Sequence, residues 1–429
     1  MQFSSEQLGR KRRSAGAVRP YSGLRFWLAA LALLGSLSLS STRQGAQQAN
    51  PAKSPAPPQA LSHIPFEMNS NHVLMQGRIN DSGPLWFTLD TGAGISVINT
   101  RKARELGIQM SANGRARGAG GTAESSRLNK VTLSLPGAEL KNLTLAATPL
   151  DSLEEVSGRS MDAIIGVELF QRYVVEVDYE SKFITLYDPQ QFVYKGAGES
   201  LPLTFFNNHP YIHGKILVSG LAPIEGDFVI DSGSGFGITV APSFNRTQKL
   251  LEHIPKTIRT SARGVGGEFV TIIGRVEGLE LGRFKLSQPV TAFPQTEGFI
   301  SKEGSVGNIG GLILRHFKVI FDYPHKRMIL EPNKNFAEPF DIDMSGLSLI
   351  TDSPQFKLVK VHRVIEGSPA AEAGIKADDL ILEVNGRAAS ELTLNTFREM
   401  LKKEGQQYNL KIKRGDETLR IQLKTRRLI

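Results

Sequence analysis

The feature that most constrains the fold is an internal duplication of the chain. Four segments occur twice, in the same order, at separations of 137 to 146 residues in the 429-residue sequence. Chance similarity would not keep four segments in one order, so the chain contains two copies of a domain of about 140 residues. The paired segments begin at Ile64 and Leu201, at Trp86 and Asp227, at Arg117 and Arg263, and at Ile164 and Asn308.

Each copy is predicted to be mainly β. Its apolar runs are short, rich in β-branched residues and separated by Gly, Asn or Pro, as in residues 130–135 and 182–187. This spacing favours antiparallel strands joined by tight turns. One short helix is expected after the first Asp turn, at residues 101–106, where Gly107 would end it.

The second duplicated segment ends, in both copies, in an Asp on a hydroxyl-Gly turn. A single turn of this kind is ordinary turn chemistry, but two in equivalent places predict one shared site. Two adjacent carboxyl groups cannot both ionise easily, so one can act as general acid and the other as general base. Gly permits close backbone approach, and the hydroxyl groups can brace the paired turns. The turns are Asp90, Thr91 and Gly92, and Asp231, Ser232 and Gly233.

Residues 64–332 resemble the retropepsin-like and pepsin-like aspartic peptidases. The likeness rests on the two Asp turns and on a later hydrophobic-hydrophobic-Gly segment, which ends at Gly166 in one copy and Gly310 in the other. Asn308 departs from this pattern, because an apolar residue is usual there. The resemblance implies a pseudo-dimer of two β-lobes, a catalytic pair formed by the two aspartates, and hydrophobic-Gly segments that support the turns from behind.

A glycine-rich segment follows each aspartate. By position, these segments are predicted either to be flap hairpins that close over substrate, as in this family, or to be plain hairpin turns. They are poor phosphate loops, since no Lys-Ser/Thr follows them. The candidate flap residues are Gly118, Gly120, Gly121, Gly264, Gly266 and Gly267.

The last segment resembles a PDZ domain of the bacterial type. Residues 367–375 and 379–386 carry the likeness, although Asp378 stands where Gly is usual. The resemblance implies a small α+β fold in which consecutive backbone amides receive a peptide C-terminus. Apolar side chains on the helix that begins near Leu394 either face this peptide or pack in the core. The predicted peptide-binding residues are Gly346, Leu347, Ser348, Leu349 and Phe397.

The N-terminal segment is predicted to direct export. Residues 1–49 hold seven Lys/Arg and one acidic residue, so most of the net charge of +9 lies there and does not indicate nucleic acid. A basic region followed by a short apolar run is typical of a secretory signal, and the run is shorter than the roughly 20 residues of a membrane span. We expect a periplasmic or extracellular location, with membrane contact only through an uncleaved N-terminal anchor.

No metal or cofactor is expected. The chain has no Cys, which excludes disulfides and thiol nucleophiles. His209 and His213 are four residues apart in a strand-like run, where such side chains are not neighbours. A glycosidase is disfavoured, because it needs a wider carboxyl separation and sugar-stacking aromatic residues, and the chain has two Trp.

The sequence therefore predicts an exported aspartic endopeptidase with a monomeric catalytic unit and a polypeptide substrate. Its PDZ domain would bind peptide or protein C-termini. The alternative is a catalytically inactive peptide-binding scaffold with the same domains. The predicted segments are a signal peptide or anchor (1–45), a Pro/Ala-rich linker (46–62), the first lobe (63–195), the second lobe (196–336) and the PDZ domain (337–429).

Overall fold

The computed structural model describes residues 59–298 and 302–429, without the side chains of residues 112 and 113. The predicted signal and most of the predicted linker lie outside these residues. The first strand begins at Ala60, inside the stretch predicted as linker, because its backbone pairs with the strand that ends at Tyr187. Such a distant pairing partner leaves no trace in composition. Within the two described ranges, no helix is long and apolar enough to cross a membrane.

The fold is mainly β, and the first lobe sets the pattern that the second repeats. Apolar residues alternate with polar ones along its longer strands, so one face of each is buried. The predicted helix after the first Asp turn is present and begins one residue earlier, where the Asn99 side chain caps it. The elements are β1 (Ala60–Asn69), β2 (His72–Ile79), β3 (Leu85–Leu89), β4 (Val97–Asn99), α1 (Thr100–Glu105), β5 (Met110–Gly118), β6 (Gly121–Leu135), β7 (Ala138–Thr148), α2 (Asp151–Ser157), β8 (Ala163–Ile165), α3 (Val167–Arg172), β9 (Val174–Asp178) and β10 (Phe183–Tyr187).

The second lobe has the same order of elements around its Asp turn. It also contains a short 3₁₀ helix at Leu250–His253. The elements are β11 (Glu199–Pro202), β12 (Thr204–Phe206), β13 (His209–Leu217), β14 (Ile224–Asp231), β15 (Ile238–Val240), α4 (Pro242–Gln248), β16 (Ile258–Gly264), β17 (Gly267–Arg275), β18 (Gly278–Leu281), β19 (Phe284–Ser287), β20 (Val290–Pro294), β21 (Gly307–Gly310), α5 (Gly311–Leu314), β22 (Phe317–Asp322) and β23 (Arg327–Pro332).

Strand pairing is mostly antiparallel, as predicted, but it is parallel beside each Asp turn. Strand β3 runs parallel to β8, and β14 runs parallel to β21. In both lobes this pairing places the hydrophobic-Gly segment directly beside the strand that leads into the Asp. The sequence did not indicate the parallel direction, because a short buried strand has the same apolar pattern in parallel and in antiparallel pairing.

Six neighbouring strands of a 13-stranded sheet join the two lobes, in the order β11-β23-β22-β9-β10-β1. The junction is the antiparallel pair of β9 and β22, in which Val175 lies opposite Phe321. The fully buried Phe321 ring also packs edge-on against Phe170 of the first lobe, with 5.4 Å between centroids. The apolar core is therefore continuous from one lobe to the other.

The C-terminal domain has its own apolar core and a sheet that is separate from those of the lobes. Asp378 adopts φ +70°, the left-handed conformation in which Gly is favoured. The Asp found there in place of Gly therefore keeps the turn. The elements are β24 (Leu347–Thr351), β25 (Val359–Val364), α6 (Pro369–Glu372), β26 (Leu380–Val384), β27 (Arg387–Ala388), a 3₁₀ helix (Ala389–Glu391), α7 (Leu394–Leu401), β28 (Gln407–Arg414) and β29 (Glu417–Lys424).

Phe321→Ala is expected to lower the free energy of unfolding by about 3–5 kcal/mol, because it removes a fully buried ring at the junction of the lobes. Urea denaturation followed by fluorescence measures this loss. Val193→Ala, at a side chain that is 58% exposed, is the control and should change stability little. Equal stability of the two variants would contradict a shared core.

Candidate active site

The two Asp turns meet at the interface between the lobes. Asp90 directly follows β3, and Asp231 is the last residue of β14. Their carboxyl groups are half-buried and lie close enough for each to affect the pKa of the other. The structure thus brings together the two residues that the sequence predicted as a pair, and it does so across the lobe interface.

The hydroxyl residues of the turns bind the opposite lobe reciprocally. The Thr91 amide donates to Ser232 Oγ at 3.0 Å, and the Ser232 amide donates to Thr91 Oγ1 at 2.9 Å. Each hydroxyl in turn donates to a carbonyl oxygen of the other lobe: Thr91 to Ile230 at 2.7 Å, and Ser232 to Leu89 at 2.9 Å. Both side chains are 1% exposed. Because every one of these polar groups has its partner in the other lobe, separating the lobes would leave them all unpaired.

The glycines of the turns make room for the opposite carboxyl. A Cβ at Gly233 would lie 2.3 Å from Cγ of Asp90, and one at Gly92 would lie 2.6 Å from Oδ1 of Asp231. Any larger residue would push the aspartates apart. The predicted supporting glycines also lie behind the turns, where Gly166 and Gly310 contact the backbone just after the first and second Asp turn, respectively.

Electrostatics differ between the two carboxyl groups. Burial raises the pKa of both aspartates. The nearby charge of Asp231 raises the pKa of Asp90 further, so that it lies well above its ordinary value. At Asp231 the side-chain amide of Asn308, with Nδ2 2.6 Å from Oδ2, opposes the rise in pKa. The Asn308 amide therefore favours the charged form of Asp231.

A second reciprocal contact between the lobes involves two asparagines that were not predicted as site residues. Asn71 Nδ2 donates to the Gly235 carbonyl at 2.8 Å, and Asn208 Nδ2 donates to the Gly94 carbonyl at 3.1 Å. Each Asn thereby holds the Asp loop of the other lobe. The adjacent His72 has its Nε2 3.1 Å from the Gly233 carbonyl oxygen. The signal was present in the sequence, because the Asn-His pair occurs at the same place in both copies.

The predicted flap segments are the tips of two hairpins, β5–β6 and β16–β17. The tips touch each other, since the Gly120 amide donates to the Val265 carbonyl at 3.0 Å. They lie over a cavity of about 800 Å³ that both aspartates also line. The position is that of a cover over the Asp pair, as expected for flaps, and the role itself stays a prediction.

The C-terminal domain lines the same cavity and contacts the second hairpin. Arg398 and Lys402 of α7 are among the cavity residues. Glu268, next to the tip of the β16–β17 hairpin, pairs with His362 at 2.9 Å and with Arg363 at 3.1 Å. The cover of the cavity is therefore attached to the C-terminal domain by charged contacts.

The predicted peptide-binding strand of the C-terminal domain faces the first lobe. Strand β24 packs beside α2, and Arg398 donates both to the Leu349 carbonyl and to the Val156 carbonyl at 2.6 Å. The amides of Ser345 and Gly346, at the start of the strand, donate to the Asp343 carboxylate. Groups expected to take a peptide thus have partners within the chain, and their binding role stays a prediction.

The prediction for Phe397 is wrong. Its side chain is fully buried and belongs to the core of the C-terminal domain, with no surface open to a ligand. The side chains of Leu347 and Leu349 are also buried in that core. An apolar stripe on a short helix can line a binding groove or pack in a core, and in α7 Phe397 packs in the core.

The fold and the site define a two-lobed aspartic-peptidase architecture with a C-terminal PDZ domain. In a comparison with protein families, residues 75–169, within the first lobe, match the family described as "Aspartyl protease", and residues 360–414 match the PDZ domain. Among solved structures, the chain is similar to the aspartic proteinase from Irpex lacteus, at 12% identity and a TM-score of 0.40, over 64% of this chain and 98% of that one. A search of curated proteins found no match.

The contact between the hairpin and the PDZ domain is expected to weaken in acid. Burial opposes ionisation of Glu268, but hydrogen bonds from Ser261, His362 and Arg363 outweigh it and lower its pKa from 4.5 to about 2. Because the pKa of Glu268 is lower in the folded state, ionised Glu268 stabilises the fold fully above about pH 4.5. This stabilisation is lost as the pH falls toward 2. Glu268→Gln should therefore speed amide exchange in the β16–β17 hairpin at neutral pH, with a smaller effect near pH 2.

Hydrogen exchange of both proteins at the same pH measures this effect. The matched control is Glu297→Gln, since Glu297 pairs with Arg246 on the exposed surface of the same lobe, at 2.6 Å. Exchange that is unchanged by the Glu268 substitution at every pH would show that these contacts do not hold the hairpin.

Proposed function

We propose that this protein is an aspartic endopeptidase in which Asp90 and Asp231 form the catalytic dyad. The observation that carries the proposal is the close approach of two half-buried carboxyl groups, one from each lobe, at a cavity beneath two hairpins. Burial raises the pKa of both groups, and the Asn308 amide favours the charged form of Asp231, so one group can serve as the acid and the other as the base.

The chemistry follows from that assignment. Asp231 takes a proton from water as the water oxygen attacks the peptide carbonyl carbon, and Asp90 gives its proton to the carbonyl oxygen. The tetrahedral intermediate then breaks: Asp231 passes its proton to the leaving nitrogen, and Asp90 takes one back from a hydroxyl group. The C–N bond is replaced by a carboxyl group and an amine, and the dyad returns to its starting state.

Both halves of the dyad belong to one chain, so the catalytic unit is monomeric in this proposal. The substrate is a polypeptide that enters beneath the hairpins in an extended form. The PDZ domain forms one wall of the cavity and holds the second hairpin through Glu268. Binding of a peptide C-terminus along β24 would require Arg398 to leave the Leu349 carbonyl.

Export is also part of the proposal. It is supported by the basic region and short apolar run of residues 1–45, which lie outside the described residues. The protein would then act in the periplasm or outside the cell, either released or held by an uncleaved N-terminal segment.

Asp90→Asn and Asp231→Asn are each expected to lower peptide cleavage by at least about 100-fold, because each removes an acid or a base from the reaction. The assay is a mixed peptide library between pH 3 and 8, with products identified by mass spectrometry. An aspartic-protease transition-state analogue should abolish cleavage by the unmodified protein. Thermal unfolding checks that each variant is folded.

The control is Asp227→Asn, which changes a partly exposed carboxylate on the same strand, paired with Lys302. It should retain cleavage. Activity retained by either dyad variant would refute the shared dyad. A folded, unmodified protein that cleaves nothing at any pH would instead identify an inactive scaffold.

A further inference from the structure

The two lobes differ at the residue that lies beside each catalytic aspartate. In the second lobe, Asn308 of β21 lies opposite Val229 and points its amide at Asp231, with Nδ2 2.6 Å from Oδ2. In the first lobe, the equivalent position on β8 is Ile164, which lies opposite Thr88. An isoleucine side chain has no donor, so Asp90 receives no matching hydrogen bond.

The orientation of the Asn308 amide is set by charge. The reverse orientation would place its carbonyl oxygen against Oδ2 of Asp231, where two acceptors repel unless Asp231 carries the proton. With the nitrogen facing Asp231, Oδ1 is left buried and without a partner among the described residues. A buried, unpaired acceptor costs free energy, and an apolar residue would avoid that cost. The amide is therefore explained by its bond to Asp231 and not by packing.

An N–H donor binds a charged carboxylate more strongly than a neutral carboxyl group. The Asn308 bond thus stabilises the state in which Asp231 is ionised, and the shared proton lies on Asp90. Asp90 accepts the Gly92 amide at 2.7 Å, but that bond belongs to the turn itself. The donor that distinguishes the two lobes is the side chain of Asn308.

Of the other titratable groups around the dyad, His72 also acts on Asp231, whereas Tyr323 does not distinguish the two aspartates. Burial lowers the pKa of His72, and the nearby charge of Asp231 opposes that fall. A charged His72 would lower the pKa of Asp231, in the same direction as Asn308. Burial raises the pKa of Tyr323 well above its ordinary value, and both aspartates add to that rise, so its hydroxyl stays neutral.

We propose that Asn308 is a positioning residue that keeps the proton of the dyad on Asp90 and so makes Asp231 the base. This inference rests on the proposed peptidase function for its catalytic meaning, but the location of the proton is a property of the free protein. A pseudo-symmetric pair of acids is thereby given fixed and different roles by one side chain outside the pair.

The first test needs no substrate. Asn308→Leu removes the donor at nearly constant volume, and carbon NMR of aspartates labelled at the carboxyl carbon follows the titration of Asp90 and Asp231 separately, with the Asp→Asn variants giving the assignment. In the unmodified protein, Asp231 should titrate at lower pH than Asp90. In Asn308→Leu, the titration of Asp231 should move up by about one to two pH units, the size expected for one charge-assisted hydrogen bond.

The second test restores the donor on the other side. In the double variant Ile164→Asn/Asn308→Leu, the amide lies beside Asp90, and the order of the two titrations should reverse. On a cleaved peptide, Asn308→Leu should move the acidic limb of kcat/KM to higher pH by the same one to two units, and the double variant should move it back. Thermal unfolding of each variant checks that the fold persists.

These outcomes separate this inference from the proposed function. Unchanged carboxyl titrations in a folded Asn308→Leu variant would overturn the positioning role, even if both aspartates proved essential for cleavage. Shifted titrations in a protein that cleaves no peptide would uphold the positioning role and refute the peptidase. A pH profile that drops uniformly, without moving its acidic limb, would assign Asn308 a packing role only.

Discussion

The reciprocal hydrogen bonds between Thr91 and Ser232 hold together two acidic groups that burial and charge would otherwise separate. Both carboxyl groups are half-buried, and a charge on one disfavours a charge on the other. The four bonds join the backbone of one Asp turn to that of the other, and no water replaces them, since both hydroxyl residues are buried. This contact is positioned by the two lobes, by the sheet that joins them and by the glycine turns.

Support for the contact comes in layers. Closest to the aspartates, Gly92 and Gly233 leave room for the opposite carboxyl group. Around them, Asn71 and Asn208 each hold the loop of the other lobe. Farther out, the pair of β9 and β22 makes one sheet of two lobes. Each layer crosses the interface, so the geometry of the acids depends on both lobes being folded.

Much of this arrangement could be predicted from the sequence, because duplication is itself structural information. The repeat predicted two lobes, and equivalent positions within it predicted that Asp90 and Asp231 would meet. Period-two patterns located the strands, and Gly107 marked the end of the first helix. The PDZ domain was recognisable from its turns, where residues such as Asp378 adopt the expected backbone conformation.

What could not be predicted depends on contacts between distant segments. The contacts of Glu268 with His362 and Arg363 join a hairpin tip to another domain. Neither segment has a sequence pattern that indicates which segment it contacts. Phe397 was misjudged because its helical spacing describes a face and not what covers it. Asn308 was noticed as an exception, but its role depends on a distance of 2.6 Å that no sequence pattern contains.

The sheet shared by β9 and β22 has a consequence for how such a site can change. Two identical subunits related by a twofold axis must carry every substitution twice, so an amide beside one acid would appear beside both. Here the halves are parts of one polypeptide, and each can be altered alone. Only a covalently linked pair can have Asn308 in one lobe and Ile164 at the equivalent position in the other. The same holds for the PDZ domain, which contacts α2 of the first lobe and the β16–β17 hairpin of the second. Because the two lobes belong to one chain, each can carry substitutions that the other lacks.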